Sequence, residues 1–365
     1  TVTRPLRLPM TFPGPHYGTN LLHLLRGSQL LQPLAATFYV TTRCNLNCAY
    51  CEDFGARRNG QQPPFLSFDE ARHILRVVRS GTDSLILTGG EPLLYPHIAE
   101  LVAFAKTDLR FRQIAMLSNG LLLPQFETIL PLLDRLVISL DSLDADYWAS
   151  IINMPPKTAQ AIVDNIQTYG RLQAQHNFRL IVNCVLSPET LPGAPDILDF
   201  CREHNLLVSF SPQAVDDWPR YELLVSPEYK AFIARLIAAK RAGAPILGSD
   251  AYLQTLYDFT SYACYPTLVP RIMADGGLVY PCRPIERKGG GNGGRPVNLL
   301  AVDSWAEAMA TAVAAHGSPP QHCTSCFQQC FAEPSLMQAR PLAYALEWLR
   351  YPASRQASLH NHAPG

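Results

Sequence analysis

The run RCNLNCAYC (residues 43–51) places Cys44, Cys48 and Cys51 on one short segment. In a large chain, thiols this close together bind metal more often than they pair as disulfides. Structural zinc takes four ligands, and here the local count stops at three, with no histidine between His23 and His73. A [4Fe–4S] cubane held by three thiolates leaves one iron free to bind something else. A zinc loop completed by a distant ligand is the alternative. A second field comprises Cys264, Cys282, Cys323, Cys326 and Cys330, in which seventeen residues separate the first pair and C-x-x-C-x-x-x-C closes the set. Spacing alone allows zinc or an iron–sulfur cluster there. Between the two fields lies TGGEP (88–92), where Gly89 and Gly90 permit close backbone approach and Glu91 offers a carboxylate to an ammonium group.

These residues need a scaffold, and the apolar pattern supplies one. Short β-branched or aromatic runs at 36–42, 84–90, 113–119, 135–141, 178–185 and 206–212 alternate with amphipathic stretches. One such stretch, 67–78, opens with Ser67 as a cap and Glu70 three residues on. This order predicts an α/β fold with parallel strands and right-handed crossovers. Six strands fall short of a complete barrel, so we expect a partial (β/α)6 TIM-type barrel with its reactive groups at the strands' C-terminal edge. Cys44, Cys48 and Cys51 then sit on the loop after the first strand, and TGGEP ends the second. Past Trp218 the rhythm gives way to a helix over 226–243 and a hairpin over 271–282, turned by Asp275-Gly276-Gly277. The expected layout is an N-terminal extension (1–33), the barrel (34–217), a small cysteine-rich extension of β-hairpin plus helices (218–350) and a loose tail (351–365).

The C-x-x-x-C-x-x-C loop after a first strand, with Tyr50 before its last cysteine and GGEP on the next strand, resembles the radical S-adenosylmethionine (radical SAM) enzymes. The resemblance implies that the cluster at Cys44, Cys48 and Cys51 binds S-adenosylmethionine through its open iron. Electron transfer then yields a 5′-deoxyadenosyl radical that takes hydrogen from an unactivated C–H bond. It also implies that Gly89, Gly90 and Glu91 hold the methionine part and that Tyr50 borders the adenine. Ser118, Asn119, Ser139, Asp141 and Asn183 become candidates around carboxylate and ribose, with Gln213 in a comparable place. Each of these polar residues also suits a cap or turn. The second cysteine field resembles the SPASM or twitch extension of such enzymes. That implies one auxiliary [4Fe–4S] cluster on Cys264, Cys282, Cys323 and Cys326, with Cys330 as a spare thiol, an alternative ligand or a stray.

Composition narrows the partners. Thirty basic residues balance thirty acidic ones, which gives no electrostatic case for nucleic acid. No segment has the ~20 apolar residues of a spanning helix, and the proline-rich start lacks a signal-peptide core, so we expect a cytoplasmic protein. The amphipathic stretch within 20–38 could meet a membrane surface, but it better suits covering one end of the barrel. KGGGNGG (288–294) lacks the ending of a phosphate loop. Cys184 and Cys201 sit in apolar surroundings and read as core. His322 is a possible ligand, and Arg283, Glu286 and Arg287 either line a cavity or form a solvated turn. The expected substrate is a small or lipid-like molecule, such as a sugar or alcohol, with flavodoxin or ferredoxin as reductant. A peptide substrate stays open, although the first 35 residues leave no room for a precursor-binding module. An electron-transfer or zinc scaffold is the alternative of another class.

Overall fold

The structure is a computed structural model. It describes residues 16–51, 54–56, 60, 62–288, 295, 297–320 and 326–350, without the side chains of Arg287, Lys288 and Trp348. All six expected strands form: β1 (Ala36–Thr41), β2 (Ser84–Gly89), β3 (Gln113–Ser118), β4 (Arg135–Ser139), β5 (Arg179–Leu186) and β6 (Leu207–Pro212). Each pairs in parallel with the next. The residues that overshoot these strands, Gly90, Asn119 and Asp141 among them, belong to the loops at the C-terminal edge.

Helices return the chain between strands: α1 (His16–Leu25) precedes β1, followed by α2 (Phe68–Gly81), α3 (Ile98–Thr107), α4 (Ala145–Ile152), α5 (Pro156–His176) and α6 (Ala194–Glu203). Ser67 Oγ accepts from the Glu70 amide while the Glu70 carboxylate accepts from the Ser67 amide, so α2 starts on the expected capping box. Along β2, Leu85 and Leu87 are fully buried, whereas Ser84 and Ile86 keep some exposure, the alternation of a strand with helices on one face. Cys184 and Cys201 are buried in the core, as expected.

The remaining chain closes onto this sheet. A two-residue turn, Asp216-Asp217, joins β7 (Ala214–Val215) to β8 (Trp218–Pro219), with both aspartates at positive φ (50° and 70°). Then come α7 (Tyr221–Val225), α8 (Pro227–Arg241) and α9 (Asp250–Asp258). The expected hairpin forms as β9 (Arg271–Ile272) and β10 (Leu278–Val279), and β9 pairs in parallel with β1. The sheet order is therefore β10-β9-β1-β2-β3-β4-β5-β6. The hairpin extends the barrel sheet rather than standing apart from it. Helices α10 (Arg283–Lys288), α11 (Trp305–His316), α12 (Gln329–Ala339) and α13 (Pro341–Arg350) complete the described chain.

The segment before β1 packs against the stretch ahead of β9. Leu31 sits against Leu268 and Val269, and the Leu34 amide donates to the Leu268 carbonyl at 2.8 Å. The Gly-rich stretch after Lys288, His322, Cys323 and the tail from Tyr351 lie outside the described residues.

Candidate active site

The cysteine loop leaves β1 and is fastened on two sides. The amides of Asn47 and Ala49 donate to the carbonyls of Ile152 and Ile151 at the end of α4, at 3.1 and 2.8 Å. Asn153, which caps α4 in the left-handed region, donates from Nδ2 to the Asn47 carbonyl at 2.8 Å. Opposite, the Asn119 side chain donates to Asn45 Oδ1 at 2.7 Å and ties the loop to the end of β3. Cys44 is buried, and Cys48 and Cys51 are partly buried. Burial, then neighbouring Glu91 and Cys51, pushes the Cys44 thiol up to about 11. Burial, then Asp141 and the other two cysteines, pushes Cys48 up to about 12. Without metal the loop therefore keeps these two thiols protonated at neutral pH, and they ionise only against a metal's charge. Soft sulfur donors from three neighbouring cysteines fit an iron–sulfur cluster. Among the described residues, no group of His, Cys, Asp and Glu converges to hold a single metal ion.

The glycines of TGGEP meet a steric demand within the chain itself. A Cβ on Gly89 would lie 2.3 Å from the Thr41 carbonyl oxygen, and one on Gly90 only 2.4 Å from that of Arg43. Gly90 and Glu91 donate their amides to the Thr41 and Arg43 carbonyls at 3.0 and 2.8 Å. Both glycines thus let the end of β2 press against the start of the cysteine loop. Glu91 is also more engaged than its sequence suggests. It is fully buried; Oε1 accepts from Ser118 Oγ at 2.9 Å and the Leu93 amide at 3.0 Å, and Oε2 accepts from the Asn119 amide at 2.7 Å. Burial pushes its carboxyl up to about 7, opposed by these three bonds. Glu91, Ser118 and Asn119 come together as one hydrogen-bonded unit.

Tyr50 and Asp141 form a second unit. The Tyr50 hydroxyl donates to Asp141 Oδ2 in a short hydrogen bond, while Asp141 Oδ1 accepts from the Val185 amide at 2.8 Å. Burial pushes Asp141 up to about 6, opposed by both bonds, and raises the Tyr50 phenol well above its usual range. In this geometry Asp141 anchors the cysteine loop to β5. Ser139, Asn183 and Ser209 are register partners across β4, β5 and β6, with Ser209 Oγ donating to Asn183 Oδ1 at 2.8 Å. They form a polar row beside the Asp141 unit. Gln213 accepts from Arg220 at 3.1 Å.

Cys264, Cys282 and Cys326 of the second field are buried and Cys330 is partly buried. Tyr262 donates to the Cys326 carbonyl at 2.6 Å. Its phenol is raised by burial, then by the sulfurs of Cys326, Cys264 and Cys330, all near it. Cys330 therefore lies with its field. Arg283 begins α10 and faces Asp217 at 3.9 Å, and Glu286 pairs with Arg295 at 3.0 Å, so these are not simply solvated turn residues. Asn45, Asn153, Arg271 and Gln328 escaped the sequence reading; each acts through a partner far along the chain, and only the asparagines beside a cysteine and a helix end left a local signal.

Residues 38–182 match the family described as the Radical SAM superfamily. A GTP 3′,8-cyclase of Mycobacterium sp. (strain KMS) is 32% identical over 213 residues, covering 56% of this chain and 57% of that protein. A probable GTP 3′,8-cyclase of Methanococcus aeolicus is 26% identical over 259 residues, 67% of this chain and 83% of the other. The chain thus spans little more than half the length of its mycobacterial relative. Among solved structures, Streptococcus suis SuiB bound to S-adenosylmethionine aligns with a TM-score of 0.59 at 19% identity, over 79% of this chain and 68% of SuiB. The anSMEcpe protein with bound AdoMet aligns with a TM-score of 0.58 at 14% identity, over 90% and 99%. Both likenesses are of fold.

Proposed function

We propose that the chain, whose residues 38–182 match the Radical SAM superfamily, works with a [4Fe–4S] cluster and S-adenosylmethionine and abstracts hydrogen from an unactivated C–H bond of a small molecule. The observation that carries this reading is the joining of the Cys44–Cys51 loop to the end of β2 through Gly89, Gly90 and Glu91. Cys44, Cys48 and Cys51 would hold the cluster, which with S-adenosylmethionine supplies a 5′-deoxyadenosyl radical. Asn119 and Tyr50 fix the loop from either side. The one acceptor site left on Glu91, on Oε2, would take the methionine ammonium, and the row Ser139, Asn183 and Ser209 offers hydroxyl and amide groups to a polar ligand. Walls of this kind serve by placing one C–H bond and excluding water, since a primary alkyl radical attacks what lies nearest. Cys264, Cys282, Cys323 and Cys326 would hold an auxiliary cluster that accepts an electron or binds substrate. A cytoplasmic setting, with flavodoxin or ferredoxin as reductant, suits cysteines that must stay reduced.

A nucleotide or sugar-like substrate agrees with the names of the relatives in sequence, which cyclise GTP. A peptide is the second reading, favoured by neighbours in fold solved with peptides bound, SuiB with its precursor and anSMEcpe with a cysteine-containing peptide. Deuterium-labelled candidates separate the two. The anaerobically reconstituted enzyme is expected to carry deuterium into 5′-deoxyadenosine from a small polar molecule. Transfer from peptides alone would move the assignment to peptide modification, and tightly bound zinc without 5′-deoxyadenosine would point to a scaffold.

A further inference from the structure

Arg271 joins the barrel sheet to the second cysteine field. It lies on β9 in register with Thr37 of β1, so its side chain leaves the sheet on the same face as those of Thr37 and Tyr39. It is 8% exposed. Its Nη2 donates to Gln328 Oε1 at 2.6 Å and to Cys330 Sγ at 3.0 Å, and its guanidinium stands 4.6 Å from the centre of the Phe331 ring. Gln328 in turn donates from Nε2 to Asp217 Oδ1 at 3.4 Å. Among the described residues no carboxylate forms an ion pair with Arg271. The acid of this chain of bonds, Asp217, lies beyond Gln328 and faces Arg283. A guanidinium keeps its charge when buried, so a fixed cation rests against a sulfur of the field, with Cys326 also near it.

We propose that Arg271 is a positioning residue of the auxiliary site: fixed by Gln328, it holds the Cys330 sulfur in place and supplies a positive charge that favours the reduced state of the cluster there. The inference rests on the reading that this field binds an iron–sulfur cluster. Reduction adds one negative charge, and a cation in the same low-dielectric region stabilises the product more than the reactant. Charge and hydrogen bonds to sulfur are among the levers that set cluster potentials. Cys330, the thiol left over from a four-cysteine ligand set, is thereby fixed within its field, and Arg271 joins the auxiliary site to the strand that feeds the Cys44 loop.

The test is a redox titration of the reconstituted holoenzyme followed by electron paramagnetic resonance. Spectra with and without S-adenosylmethionine separate the signals, because the cofactor perturbs the cluster with an open iron. At the potential where the native auxiliary signal is half reduced, Arg271→Met is expected to show a reduced-to-oxidised ratio about tenfold lower, equivalent to about 59 mV for one electron. Arg271→Lys keeps the charge and is expected to stay within about twofold of the native ratio. Gln328→Glu is nearly isosteric and sets a carboxylate against the guanidinium; it should lower the ratio too, and it serves where Arg271→Met fails to fold. An unchanged ratio in Arg271→Met or Gln328→Glu, at about eight irons per chain, overturns the inference and leaves the auxiliary cluster standing. About four irons per native chain removes the auxiliary cluster, and the inference with it.

Discussion

Gly90 bears a steric demand that no other residue type can meet without movement. Its missing Cβ would stand 2.4 Å from the Arg43 carbonyl oxygen and 2.7 Å from the carbonyl carbon, and backbone yields less readily than a side-chain tip. Gly90→Ala is therefore expected to push the end of β2 away from the cysteine loop, at a cost of about 1–3 kcal/mol by the usual penalty for overpacking. Denaturant unfolding of the metal-free protein measures the loss, and iron content after reconstitution should fall with it. A variant with native midpoint and native iron would show that the two segments are not in fact pressed together. Glu91 and Asp141 illustrate the complementary case. Each is a buried carboxylate whose hydrogen bonds are made within the chain, and both hold loops in place before any ligand arrives.

At the level of elements, the six barrel strands were legible because each is a short β-branched or aromatic run ending in small or polar residues. The α2 cap was legible because Ser67 and Glu70 stand at the spacing that lets each satisfy the other's amide. Local chemistry wrote both features. What the sequence concealed was always a relation between distant elements. Nothing in RIMADGGLVYPC indicates that β9 pairs with β1, since two residues of strand carry no record of their neighbour. Asp141 could be assigned to a strand end, but its Tyr50 partner lies 91 positions away. Gly89 and Gly90 were found by their motif, but their contact with the Thr41 and Arg43 carbonyls was not, because a glycine marks a close approach without saying what approaches. Arg271 gave no signal at all: it is one arginine in a hairpin, and its meaning comes from Gln328 and Cys330 across the fold.

At the scale of the whole molecule, the C-terminal helices are fastened to the end of α8 and the start of α9 by buried charge. Lys240 pairs with Glu347 of α13 and lies 3.5 Å from Asp250, while both oxygens of Glu333 on α12 accept the Ser249 amide at 3.0 Å. Burial pushes the Glu333 carboxyl up from 4.5 to about 7, opposed by the Ser249 bonds and the charge of Lys240. The folded state then binds more protons than the unfolded one between about pH 4.5 and 7, so this contribution to stability is whole below that window and lost as pH rises through it. In Glu333→Gln the fall in melting temperature of the metal-free protein from pH 5 to pH 8 should shrink. It should not vanish, because Glu91 and Asp141 are shifted the same way. An undiminished fall would place Glu333 outside this linkage. The molecule as a whole then presents one cysteine loop, gripped by α4, β2 and β3, at the mouth of a partial barrel. The most direct test is 5′-deoxyadenosine released from S-adenosylmethionine by the dithionite-reduced enzyme: the native chain should produce it and Cys48→Ala should produce essentially none. Undiminished release from Cys48→Ala would contradict a cluster held by Cys44, Cys48 and Cys51.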